Sequence, residues 1–395
     1  MNNFLIGCVG KPSAGKSSFL NAATDANAKV GNYPFTTIDP NNGVTFYQSP
    51  CPCKKYGKTD VCAPRYGKCV DGTRFIPVKM LDVAGLVPGA SEGRGLGNKF
   101  LDDLRTAHVL LHIVDASGQT NEKGEGYDPI NDIQWLLDEI HSWIFNNLWK
   151  KWGSIVRRHS ALKAAAATTL QLQFSGYGSN FATVQKALDL MGIKEPSEME
   201  KWDKEYVGKV VRGFMDVRFP TVIVLNKIDQ PDADGNILRI CQKYDPNQIV
   251  LTSALAECFL RKMNKDKYIR YTEGSEFFDT SEDQTTPDPD HPLKDCDEKL
   301  MNRLEKVRDL VLFRYGSTGI QAAIKKAVDM KGLVPVYPVR NLTHFSSDDK
   351  NRGSFKDCLL VSPGTTVREF CRLLSPELEK HFLYAEGPSG QRTVG

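Results

Sequence analysis

Residues 10–17 read Gly-Lys-Pro-Ser-Ala-Gly-Lys-Ser, a G-x-x-x-x-G-K-S spacing. An apolar run, Phe4-Leu5-Ile6-Gly7-Cys8-Val9, precedes it, and a helix-forming one, Ser18 to Ala23, follows. No other stretch restricts the fold as much. Strand, glycine loop and helix in immediate succession form a phosphate cradle. Gly10 and Gly15 let the backbone wrap closely around an anion. Successive N–H groups and the positive end of the helix then face it. Lys16 supplies a point charge for the outer phosphates and Ser17 a hydroxyl for Mg²⁺. Gly10, Ser13, Ala14, Gly15, Lys16, Ser17 and Ser18 are therefore the candidate phosphate-binding set. A phosphate loop of this kind implies an α/β domain with a parallel sheet.

Further nucleotide motifs are expected at later strand ends, and they occur in order. Residues 31–43 hold two prolines and three asparagines, which makes them a loop. Thr36 and Thr37 lie in it, where a threonine completes the Mg²⁺ shell and senses the γ-phosphate. Asp82-Val83-Ala84-Gly85 closes an apolar strand, so that Asp82 reaches Mg²⁺ through water and the Gly85 N–H touches the γ-phosphate. The next segment, 87–97, holds four glycines and suits a stretch that orders with the phosphate state. Thr221 to Leu225 is a fully apolar strand delivering Asn226-Lys227-Ile228-Asp229 at its C-terminal end. Asp229 can accept from both N1–H and the exocyclic amine of guanine, a pair that adenine lacks, and Lys227 can lie along the base. Ile249 to Thr252 is another apolar strand, ending in Ser253-Ala254, placed to meet the base from the other side.

Two insertions interrupt this core. Residues 128–217 are helical by pattern: Ile130 to Leu148, Ser154 to Gln173, and segments around 181–191 and 196–217. Trp149-Lys150-Lys151-Trp152 and Arg157-Arg158-His159 mark a tip that either meets RNA or is a packed tryptophan pair beside a solvated basic face. Residues 273–299 are acidic and proline-containing and read as a long loop, before a charged helix from Asp297 to Tyr315. From Lys331-Gly332 the composition shifts. Strands at 334–339 and 358–361, a helix begun by Thr366-Val367-Arg368-Glu369 with capping-box spacing, and later strands near 381–385 and 392–394 suggest a ubiquitin-like β-grasp.

Ten cysteines are present, six of them scattered. Cys51, Cys53, Cys62 and Cys69 are clustered within one hairpin, with eight residues between the second and third and six between the third and fourth. Four thiolates suit tetrahedral zinc, yet the spacing departs from paired C-x₂-C, so a zinc knuckle and four reduced thiols both stand. A net charge of +3 is too small to argue alone for nucleic acid or membrane. No apolar run approaches the roughly 18 residues of a bilayer span. The first strand follows the N-terminus at once, and a cytoplasmic location is expected.

These motifs resemble the Obg family of P-loop GTPases. The resemblance rests on Asn32-Tyr33-Pro34-Phe35-Thr36-Thr37, on Asp82-Val83-Ala84-Gly85-Leu86-Val87-Pro88-Gly89-Ala90 and on Gly93-Arg94-Gly95-Leu96-Gly97. With a helical insert and a C-terminal module, the chain looks most like the Obg-like, YchF-related branch of archaea and eukaryotes. Residues 333–395 are similar to a TGS domain, a fold shared with threonyl-tRNA synthetase and RelA/SpoT enzymes. The resemblance implies a nucleotide domain over 1–127 and 218–332, a helical insertion over 128–217 and a TGS domain over 333–395. It implies a GTPase with Lys16, Thr37 and Gly85 at the reaction centre and Ser17, Thr37 and Asp82 around Mg²⁺. Well-known relatives favour ATP because their base motif has drifted; here Asn226-Lys227-Ile228-Asp229 is intact and points to GTP. Ser13 stands where many relatives have an asparagine that helps hold potassium. Leu86 stands where Ras-like enzymes place a water-orienting glutamine. The expected activity is a slow GTP-hydrolysing switch acting with ribosomes or other RNA assemblies; the alternative is a nucleotide-gated, protein-binding adaptor with negligible turnover and no RNA contact.

Overall fold

The computed structural model describes residues 4–24, 42–83, 97–119, 126–194, 198–284, 292–347 and 353–394. The chain divides into two compact units. One comprises residues 6–22 and 81–323, the other residues 1–5, 23–80 and 324–395.

The larger unit is built on parallel strands. Leu5–Val9 pairs with Val109–Asp115, which pairs with Thr221–Asn226, which pairs with Ile249–Thr252. All seven residues of Val109–Asp115 are buried. This is why the strand reads as a continuous apolar run: helices cover both faces of a parallel sheet, so no alternation survives. Strand Thr73–Asp82 ends in this unit, where the Val83 N–H donates to the Cys8 carbonyl at 3.1 Å. Parallel pairing with helical crossovers brings the carboxyl ends of successive strands to one edge, and the motifs lie there.

The insertion begins with helix Pro129–Trp149, capped by the Asp128 side chain, which accepts from the Ile130 N–H at 3.1 Å. Ile133, Leu136, Ile140, Ile144 and Leu148 form its buried stripe. The helix expected over 154–173 is two helices, Trp152–Leu162 and Ala166–Phe174. Lys163 takes a left-handed φ of 47° between them, and the Ala164 N–H turns back to the His159 carbonyl, closing the first helix as glycine commonly does. At the tip the tryptophans pack inward. Trp149, Trp152 and Trp202 stack in sequence at 6.3 and 6.1 Å, and Trp152 is buried. Lys150, Lys151, Arg157 and Arg158 remain exposed. The tryptophans are thus packed against one another, and the basic side chains lie exposed beside them.

Within the loop expected over 273–299 the described residues form a short strand. Phe278–Asp279 pairs antiparallel with Arg270–Tyr271, and Phe278 is buried in a cluster with Tyr271, Leu260 and Leu304. Asp283 accepts from the Thr280 N–H and hydroxyl at 2.8 and 2.9 Å. One buried phenylalanine outweighs the surrounding acidic composition. Residues 285–291 lie outside the described set. The charged helix beyond runs Glu298–Val307, then widens through a π turn at Arg308–Leu312.

In the smaller unit, Lys68–Val70 pairs antiparallel with the start of Thr73–Asp82. The C-terminal stretch has two short antiparallel ladders, Val334–Val336 with Leu359–Val361 and Ala385–Glu386 with Arg392–Thr393. Between them helix Val367–Leu374 opens with the expected capping box, both reciprocal bonds between Thr366 and Glu369 being formed. A short helix, Pro376–Lys380, precedes Ala385, so the strand expected at 381–385 is confined to its last residue and Glu386.

Candidate nucleotide-binding site

The glycine loop leaves strand Leu5–Val9 and enters helix Lys16–Ala23 directly. A Cβ at Gly10 would stand 2.5 Å from the Ile113 carbonyl oxygen, so the loop hugs the neighbouring strand in a way only glycine permits. Gly15 has φ +88°, and a Cβ there would meet the Asn226 amide nitrogen at 2.3 Å. Ser13 is left-handed, at φ 69°. Ser13 and Ser17 are exposed, Ser18 is half-buried and Ala14 is buried. Lys16 is ion-paired with Asp82 and also donates to the Val83 carbonyl at 2.7 Å. The candidate phosphate lysine and the candidate metal carboxylate thus share one spot. Beneath them burial pushes the Cys8 thiol up, Asp82 adding to the effect, so it stays protonated and inert.

The base-recognition motif is wired into this loop. Asn226 is buried and donates from Nδ2 to the Ala14 carbonyl at 3.0 Å, while its Oδ1 accepts from the Ala254 N–H at 3.1 Å. One side chain therefore joins the phosphate loop to the Ser253-Ala254 strand end. Asp229 Oδ1 accepts from the Ser253 hydroxyl at 2.6 Å, and Oδ2 from Gln230 at 2.9 Å. Ser253 also caps helix Ala254–Lys265, and its own N–H donates to the Thr318 carbonyl at 3.0 Å. Behind Thr318, burial raises the Glu257 carboxyl, partly offset by the hydroxyls of Thr318 and Tyr271. The structure thus brings together Gly10, Ala14, Gly15, Lys16, Asp82, Asn226, Lys227, Asp229, Ser253 and Ala254. Thr37, Gly85, Leu86 and Arg94 lie outside the described residues.

Two carboxylates, Asp115 and Asp132, escaped the sequence reading. Lys227, left-handed at φ 64°, pairs with Asp115 at 2.5 Å, and Asp115 is fully buried at the end of strand Val109–Asp115. Ser117 donates to the same carboxylate through N–H and hydroxyl, at 2.9 and 2.6 Å. Lys11, in the phosphate loop, pairs with buried Asp132 on the first insertion helix and lies 5.2 Å from the Trp135 ring centre. Asp132 precedes Ile133 and stands four residues before Leu136, on the apolar stripe; a carboxylate there signals a buried partner.

Ser17 and Asp82 offer a hydroxyl and a carboxylate, the hard oxygen donors that suit Mg²⁺, and Asp82 is already fixed beside the start of the helix that carries Ser17. Among the described residues no helix is long and apolar enough to cross a membrane.

Comparison with known proteins bears directly on this geometry. Residues 224–341 match the family described as "Obg-like GTPase YGR210-like, G4 motif-containing domain", and residues 5–146 match one described as "50S ribosome-binding GTPase". A GTP-binding protein of Schizosaccharomyces pombe is 52% identical over 375 residues, spanning 94% of this chain and 90% of that one. One from Methanocaldococcus jannaschii is 39% identical, spanning 99% and 95%. The crystal structure of a GTP-binding protein from Pyrococcus horikoshii superposes with a TM-score of 0.73 at 30% identity, over 99% and 95% of the two chains. The Schizosaccharomyces pombe YchF GTPase shares the fold, with a TM-score of 0.52 at 19% identity over 97% and 87%. With its phosphate loop, base motif and strand-end geometry all in place, the chain belongs to the Obg-like family of GTP-binding P-loop GTPases.

Proposed function

We propose that the protein is a slow GTP-hydrolysing switch that acts with ribosomes or other RNA assemblies. The observation that carries the reading is the fixation of Asp229 by Ser253, with Asn226 bridging Ala14 and Ala254. A guanine-reading carboxylate held rigidly to the phosphate loop is what a site needs to bind GTP by both ends. With nucleotide bound, Lys16 would exchange its contact with Asp82 for the outer phosphates, and Asp82 and Ser17 would hold a Mg²⁺ that would neutralise charge developing on the phosphates. Thr37 and Gly85 complete the γ-phosphate shell. Leu86 cannot orient the attacking water by hydrogen bonding, so the unassisted rate is expected at or below roughly 10⁻²–10⁻⁴ s⁻¹. The ribosomal partner is supported by the family description over residues 5–146, by the TGS resemblance of residues 333–395 and by the exposed basic residues of the insertion. The working division is a nucleotide domain of 1–127 and 218–332, an insertion of 128–217 and a TGS domain of 333–395. A cytoplasmic setting fits this activity, and zinc at Cys51, Cys53, Cys62 and Cys69 belongs to the same proposal.

The test is single-turnover hydrolysis of GTP with and without ribosomes, alongside affinities for GTP and ATP. A sharp rise in rate with ribosomes is expected. Equal affinity for ATP and GTP would sink the guanine reading. Leu86 favours a second reading, a nucleotide-gated adaptor: negligible turnover under every condition, with nucleotide-dependent capture of a protein partner and no RNA contact, would establish it. A partner-free rate of several per second would reveal a built-in catalytic group outside both readings.

A further inference from the structure

The four clustered cysteines lie in the smaller unit with their sulfurs all within 4.8 Å of one another. Cys51 and Cys62 sulfurs are 3.8 Å apart, those of Cys53 and Cys69 3.7 Å. A tetrahedron of thiolates about zinc, with Zn–S near 2.3 Å, has an edge of about 3.8 Å. Beside the cluster lies Arg74, only 1% exposed. Its Nη1 reaches the Cys62 sulfur at 3.9 Å and its Nη2 donates to the Lys356 carbonyl at 2.9 Å. Its Nε has no hydrogen-bond partner, and among the described residues no carboxylate pairs with it. A buried guanidinium without a counter-charge is costly. A tetrathiolate zinc centre is a dianion and supplies that charge.

A distant part of the chain closes over the same cluster. Ser354 donates to the Val61 carbonyl at 2.8 Å, and the N–H groups of Ala63 and Arg65 donate to the carbonyls of Ser354 and Lys356 at 3.1 and 2.8 Å. Phe345 and Phe355 share one buried core with Cys51 and Cys53. Both phenylalanines are left-handed, at φ 53° and 51°. That conformation is unfavourable for a bulky residue and persists only where packing enforces it.

We propose that the cysteine cluster is a metal-dependent clasp: one Zn²⁺ on Cys51, Cys53, Cys62 and Cys69, with Arg74 as its built-in counter-ion, holds residues 61–65 against residues 353–357. The clasp rests on zinc binding, and the experiment separates the two. Full-length protein purified without chelator is analysed for metal, stripped with a chelator and reloaded with ZnCl₂, with hydrogen exchange followed at each stage. About one zinc per chain is expected, with tetrahedral thiolate bands when Co²⁺ replaces it. On stripping, amides of 61–65 and 353–357 should lose protection together by roughly tenfold or more and regain it on reloading, while those of 109–115 stay protected. Less than about half an equivalent of zinc overturns the metal reading. A full equivalent whose removal leaves the 353–357 amides unchanged overturns the clasp alone. Arg74→Gln should bind zinc but lose it to a competing chelator roughly 10–100-fold more readily, with Arg74→Lys in between. Equal retention by Arg74→Gln and the natural protein overturns the counter-ion role.

Discussion

The nucleotide site and the cysteine cluster are both built from residues far apart in the chain, but they are held in opposite ways. Around the nucleotide site, protein groups bond directly to one another: Asn226 to Ala14 and Ala254, Asp229 to Ser253, Lys227 to Asp115. In the cysteine cluster the four thiol side chains meet one another through sulfur contacts, with a buried arginine beside them. The first can form before any ligand arrives. The second gathers four groups that gain little from one another as thiols, and on the proposed clasp its order follows from the metal they bind. A parallel sheet gives the first site its scaffold at no extra cost in sequence; the second draws on a four-residue helix, Pro52–Lys55, a short strand, Lys68–Val70, and the turns between them.

This contrast can be broken by variants that should touch one centre and spare the other. The largest effect is expected from Lys16→Ala and Ser17→Ala: GTP hydrolysis should fall by roughly 10²-fold or more, with zinc content unchanged. Full Mg²⁺-dependent turnover by Ser17→Ala would remove the serine from the metal shell. Next comes Asp229→Asn. Losing the guanine donors' partner costs on the order of 1–3 kcal/mol, so GTP affinity should drop roughly 5- to 150-fold while xanthosine triphosphate improves, as read by calorimetry. Unchanged GTP affinity would contradict the assignment.

A smaller effect concerns acid. His112 is buried in strand Val109–Asp115, and neither ring nitrogen has a hydrogen-bond partner. Burial, with Lys11 nearby, pushes it down to about 3. The unfolded chain takes up a proton below its ordinary value of about 6.5, whereas the folded chain does not until near pH 3. Stability from this residue is therefore full above pH 6.5 and lost as pH falls through that window. His112→Leu should flatten the dependence, changing the stability difference by about 2 kcal/mol between pH 7 and pH 5 in denaturant titrations. Parallel pH profiles for the two proteins would refute the idea. The smallest effect is expected from Leu86→Gln, which should leave the partner-free rate within about threefold, because a glutamine helps only where the loop aims it.

What the sequence made legible follows from the same contrast. The phosphate loop, Asp82 and Asn226 to Asp229 were readable because each motif is local and each sits where an apolar strand stops. Lys11 with Asp132, Lys227 with Asp115 and Arg74 with Cys62 were not, because each pair spans either a crossover or a hairpin and no spacing encodes it. The break at Lys163 hid because a lysine, not a glycine, takes the left-handed position. The strand at Phe278 hid because one buried ring is invisible within an acidic, proline-containing stretch.

The tryptophans have a practical consequence. All five in the chain, Trp135, Trp143, Trp149, Trp152 and Trp202, lie between residues 128 and 217. Tryptophan fluorescence of this protein therefore reports the surroundings of residues 128–217, and an unfolding curve followed that way records the loss of structure around that segment. Trp135 is the exception in kind: its ring stands 5.2 Å from the ammonium of Lys11, a residue of the phosphate loop itself. A cation at that distance acts on the indole's π electrons. Emission from Trp135, isolated by changing the other four to phenylalanine, is a built-in optical signal for motion of the loop, and it requires no label on the nucleotide.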